Sequence, residues 1–100
     1  MGAISFINEA KAKTAGDAYN YLVEEALYDH GHNPYNGTIS TCDIGRCTLS
    51  FTKYNEKNRD KAYEHIEKND WGSKWVADYV DLGKDSKGDR HFLFYGWASC

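Results

Sequence analysis

Apolar positions in this 100-residue chain recur at two spacings, and the change from one to the other predicts the elements. Ala15, Ala18, Tyr19, Leu22, Val23, Ala26 and Leu27 fall three and four residues apart, which places them on one stripe of an α-helix. Asp17, Asn20, Tyr21, Glu24, Glu25 and Tyr28 then line the opposite side. Thr14-Ala-Gly-Asp17 has the form of a capping box at the start of this helix. Gly31 caps its end, and Pro34 prevents continuation.

Residues 3–7 alternate and read as a first strand. Residues 38–42 and 46–54 are expected to form a hairpin around Asp43-Ile44-Gly45, with Gly45 in the left-handed position. That register pairs Ile39 with Leu49 and Thr41 with Cys47, and puts Phe51 on the same face. Residues 58–69 form a second helix with a narrow stripe of Ala62, Tyr63 and Ile66, ended by Trp71-Gly72. Residues 74–82 and 91–98 are further strands, joined by the polar segment 83–90. The last strand is apolar on both faces, with Phe92 and Phe94 on one and Leu93, Tyr95 and Trp97 on the other. Such a strand is covered on both sides or offers one face to a partner. The reading is a single α+β domain over residues 1–100, an antiparallel sheet with two helices. Its order is β-α-β-β-α-β-β, the split-βαβ plan plus one strand.

Composition narrows the function classes. Hydrophobic residues make up 41% and aromatics 15%, enough for a packed core rather than disorder. The net charge of −3 argues against duplex nucleic acid, whose non-specific affinity comes from Lys and Arg on phosphates. No apolar run approaches the ~20 residues of a membrane span, and the start carries no signal-peptide pattern. Three cysteines suit a reducing cytosol better than a disulfide framework.

Several side chains are candidates for chemistry. His30-x-His32 and Cys42-x4-Cys47 offer zinc-type ligands, but at spacings unlike the common zinc modules, so no metal or cofactor is expected. Cys42 or Cys47 with His30, His32 or His91 would supply a nucleophile and a base, yet none sits in a strand-turn-helix elbow. Ligand binding has the better physical case. The Tyr35-Asn36-Gly37-Thr38 corner can stack on a ring, read polar edges and allow close backbone approach, with Arg46 as a phosphate partner. His30 and His32 complete that candidate pocket. Tyr21 and Tyr28, seven residues apart beside Glu24 and Glu25, suggest a protein contact or a homo-oligomer interface.

Ala18-Tyr19, Glu25-Ala26-Leu27-Tyr28, Gly31-His32-Asn33-Pro34-Tyr35-Asn36-Gly37-Thr38-Ile39-Ser40-Thr41 and Phe94-Tyr95-Gly96-Trp97-Ala98-Ser99 resemble a family of small proteins of tailed bacteriophages and prophages of Gram-positive bacteria. The middle of the chain carries no such likeness. The resemblance implies an accessory role in the host bacterial cytoplasm during infection, similar to counter-defence factors. The leading expectation is a non-enzymatic protein that sequesters a nucleotide-type immune signal. The alternative is an inhibitor that docks its acidic first helix on a host defence protein, and a small hydrolase comes third.

Overall fold

A computed structural model of the chain describes residues 3–30, 39 and 42–99, with Asp29, His30 and Ser99 described by backbone alone. Among these residues the elements run β1 (Ala3–Ala12), α1 (Ala15–His30), β2 (Asp43–Ser50), α2 (Glu56–Lys68), β3 (Val76–Lys84) and β4 (Arg90–Ser99). The strands form one sheet in the order β1-β4-β3-β2. Strand β4 is antiparallel to both of its neighbours, whereas β2 runs parallel to β3.

Both faces of β4 are covered, as its doubly apolar sequence requires. Phe92, Phe94 and Ala98 pack on Ala18 and Leu22 of α1, together with Phe6 and Ala10 of β1. Leu93 and Tyr95 pack on Ala62 and Ile66 of α2, together with Val80 and Leu82 of β3. The two helices therefore sandwich the sheet. Each large side chain buried this way contributes about 1.5–3 kcal/mol relative to exposure.

Local sequence sets the helix starts. Thr14 Oγ1 accepts from Asp17 N at 3.2 Å, the cap expected for α1. Asn55 caps α2 by accepting from Asn58 N at 2.8 Å. The narrow stripe expected for the second helix is also found, with Ala62 and Ile66 buried and Tyr63 partly so.

The α+β class with two helices is what the sequence pattern predicts. Of the two strands expected between the helices, the described residues contain β2, and most of 38–42 lies outside them. The turn expected at Asp43-Ile44-Gly45 is instead the start of β2, and the sheet is mixed rather than wholly antiparallel. Ile39 and Leu49, expected to pair on one face, belong to the α1-side and α2-side cores respectively. The physical reason is that β2 feeds α2, and a strand followed by a helix returns most readily to a parallel neighbour. Gly45 serves close packing rather than a left-handed turn. A Cβ there would collide with Asp78 Oδ1 and approach Val76 Cγ1 to 2.6 Å.

A polar cluster closes one end of the α2-side core. Glu9 accepts from Arg59 Nε at 2.8 Å and from the Tyr54 hydroxyl at 3.2 Å. His91 lies with Nδ1 3.6 Å from the same carboxylate and Nε2 2.9 Å from Asp85, its ring stacked on Tyr54 at 3.7 Å. Asp85 also accepts from the amides of Lys87 and Asp89 in the β3–β4 turn.

Two expectations test this architecture. Ile66→Ala removes the α2 anchor and should cost about 2–5 kcal/mol in urea unfolding, whereas Tyr28→Ala, at an exposed position, should stay within about 0.5 kcal/mol. The hydrogen bond with His91, with help from the two turn amides, holds the Asp85 carboxyl below the ordinary aspartate value. A depressed carboxylate contributes stability that is complete above its unfolded value and is lost as pH falls through the folded one. Asp85→Asn should therefore flatten the acid limb of the stability-against-pH curve, and an unchanged limb would contradict the assignment.

Candidate functional site

Strand β2 carries two register irregularities against β3, between Ile44 and Cys47 and between Cys47 and Leu49. Such bulges re-aim side chains, and here they let Thr48 and Leu49 both serve the α2 side of the sheet. Thr48 Oγ1 lies 2.6 Å from the hydroxyl of Tyr95, a residue only 1% exposed. It also lies 3.2 Å from Nε2 of His65 on α2 and 3.3 Å from the carbonyl of Tyr79.

The protons in this relay follow from one amide. Asn69 Nδ2 donates to the His65 carbonyl at 2.7 Å, which fixes which end of the amide is nitrogen. The same nitrogen faces His65 Nδ1 at 3.5 Å, an arrangement that favours the lone pair on Nδ1 and the proton on Nε2. Nε2 then donates to Thr48. With one hydrogen and two lone pairs, Thr48 donates to Tyr79 O and accepts from both His65 and Tyr95. Burial is the main cause that raises the Tyr95 pKa, with the Asp78 charge adding to it and Thr48 and Arg46 opposing it. The phenol thus keeps its proton. In this arrangement His65 gives a proton to Thr48 and does not take one, which is the reverse of what an activated nucleophile needs.

Beside the relay is an open cavity of about 500 Å³, within the range of small-molecule sites. Arg46, Asp78, Thr48, His65, Asn69 and Tyr95 line it together with Cys47, Gly72 and Ser73. Asp78 Oδ1 accepts from the backbone N of Arg46 at 3.1 Å. Among the described residues the Arg46 guanidinium makes no ion pair.

The wall formed after α2 is conformationally costly. Asp70, Trp71 and Trp75 have φ of 54°, 62° and 65°, followed or flanked by Gly72 at 87°. Left-handed non-glycine residues cost on the order of 1–3 kcal/mol each and gather at functional sites. The turn is held by Trp71 N and Gly72 N donating to the Ile66 and Asn69 carbonyls, and by Trp97 Nε1 donating to Asp70 O at 2.9 Å. Gly72 is required twice over, because a Cβ there would also come within 2.9 Å of the Tyr95 ring.

Of the residues expected to bind a ligand, the structure places Arg46 at this cavity. His32, Tyr35, Asn36 and Thr38 lie outside the described residues, and so does the side chain of His30. His65, Asn69, Asp78, Thr48 and Tyr95 escaped the sequence reading. His65 on α2 and its C-cap Asn69 stand four apart, a spacing that marks one helix face, but Thr48 joins them only through the bulge. The two described thiols do not converge, since Cys42 is buried with Sγ on Trp97 O and Cys47 is exposed with Sγ on Leu49 O. His91, a candidate base, has a carboxylate at each ring nitrogen. On α1, Tyr21, Glu24, Glu25 and Tyr28 are all exposed, Tyr21 at 52% and Tyr28 at 91%. No described helix is long and apolar enough to cross a membrane.

Thr48→Val keeps the shape of the relay and deletes its hub. It should cost about 1–3 kcal/mol in denaturant unfolding, because the Tyr95 hydroxyl and His65 Nε2–H lose their acceptor together. A neutral Thr48→Val would show that the hub is not formed. Comparison of the chain with protein-family models, curated proteins and solved structures returned no match.

Proposed function

We propose that this chain is a non-enzymatic binding protein that takes up a nucleotide-type molecule in the Arg46 cavity and withholds it. The observation that carries this reading is that Arg46, which makes no ion pair among the described residues, lines a cavity of ligand size. A nucleotide brings a phosphate for Arg46 and donor groups on ribose and base for Asp78 and Asn69. The spent hydroxyl of Thr48 favours holding a ligand over converting one. The resemblance of segments 31–41 and 94–99 to small phage proteins supports an accessory counter-defence role, with the withheld molecule as an immune signal. The Tyr35-Asn36-Gly37-Thr38 corner is retained as a second contributor to binding.

One observation favours a second reading, in which the chain inhibits a host defence protein. Helix α1 carries Asp17, Glu24, Glu25 and Asp29 with no Lys or Arg, and it exposes two tyrosines seven apart. The neighbouring Glu25 carboxylate raises the pKa of the Tyr21 phenol. A basic protein surface would complement that face.

The two readings separate in one experiment. The protein is purified from a defence-expressing host, and retained small molecules and proteins are identified by mass spectrometry. Arg46→Ala should reduce retained nucleotide by roughly tenfold or more, as loss of a charge-assisted hydrogen bond of about 1.5–3 kcal/mol implies. Tyr21→Ala/Tyr28→Ala should leave it intact. If the tyrosine variant instead loses a stoichiometric protein partner while Arg46→Ala changes nothing, the inhibitor reading replaces the pocket.

A further inference from the structure

We infer that the Arg46 cavity selects a ligand with a single phosphodiester charge and rejects polyphosphates. The inference rests on the ligand reading above and adds the charge class of the molecule. It follows from what the wall offers. Arg46 supplies one fixed positive charge and Asp78 one negative charge. Arg46 is the one lysine or arginine among the described residues that line the cavity, so it can pair one phosphate charge, while Asp78 brings the fixed charge of the wall to zero. Each further charge on a monoester or a polyphosphate would enter without a partner and face the Asp78 carboxylate.

The remaining polar atoms point the same way. Thr48 is fully engaged and has nothing to give. Among the described residues, Asp78 Oδ2 and the Asn69 amide oxygen make no hydrogen bond. These are acceptors. A fitting ligand therefore presents one diester anion to Arg46 and N–H or O–H donors to the opposite wall, as a cyclic mononucleotide does. Inorganic phosphate would meet only half of the site, and a triphosphate would overfill its charge.

Isothermal titration of the full chain at fixed ionic strength tests this with four probes: 3′,5′-cyclic AMP, 5′-AMP, ATP and inorganic phosphate. The expected order is cyclic AMP tightest, 5′-AMP weaker by roughly tenfold, and ATP and phosphate weaker still. Arg46→Ala should abolish cyclic AMP binding and Arg46→Lys should recover part of it. Asp78→Asn, with its fold checked by circular dichroism, should narrow the gap between cyclic AMP and ATP. ATP binding as tightly as cyclic AMP would overturn the charge-class inference and leave the cavity standing as a nucleotide site. No binding by any nucleotide, or binding unaffected by Arg46→Ala, would remove the site itself.

Discussion

Tyr95 sits in the middle of the central strand, wholly enclosed, and its hydroxyl must find a partner there. An unsatisfied buried phenol would cost on the order of 1–3 kcal/mol, a sizeable part of the 5–15 kcal/mol that holds a domain of this size together. Thr48 supplies that partner because β2 is bulged at this point. The same Thr48 receives the His65 ring from α2. One hydroxyl thus ties a strand edge, a central strand and a helix, and the open space beside the tie is the Arg46 cavity. Gly45 and Gly72 are consequences of the same packing. The first leaves room for Asp78, the second for the Tyr95 ring.

How much of this was legible in the chain depends on whether the information is local. Helix α1 was readable because its cap and its stripe both lie within the segment that folds. The doubly buried last strand was readable because alternation of apolar residues on both faces has few other solutions. Helix α2 was readable from Ala62 and Ile66. The hairpin at Asp43-Ile44-Gly45 was misread because glycine after Asp-Ile looks like a turn, while the real reason for Gly45 is a neighbour more than thirty positions away. The site was mostly hidden for the same reason. Arg46 stands out as a cation at a strand position, but Thr48, His65 and Tyr95 meet only through a bulge and a crossover that no spacing announces.

Electrostatics divides the molecule into two surfaces with different uses. The α2 side gathers polar groups around a cavity, each bonded in a way that leaves acceptors and one guanidinium available. The α1 side exposes acids and two phenols along a helix with no cation of its own. The first arrangement suits a small molecule, the second a protein surface. They lie on opposite faces of the sheet, since α1 packs on Phe92 and Phe94 and α2 on Leu93 and Tyr95. A single chain can therefore carry both without either intruding on the other. The Glu9–His91–Asp85 cluster bridges strand, helix and turn, and its groups are committed to one another rather than to a ligand.

The direction of the proton between His65 and Thr48 carries the most weight, because it decides whether the relay holds a shape or activates a nucleophile. Nitrogen-15 NMR of the ring of His65 at neutral pH reads it directly. The hydrogen-bond arrangement predicts a protonated, pyrrole-type Nε2 and a pyridine-type Nδ1 in the folded protein. A pyridine-type Nε2 facing Thr48 would contradict the account, since His65 would then stand as a base against a hydroxyl free to attack.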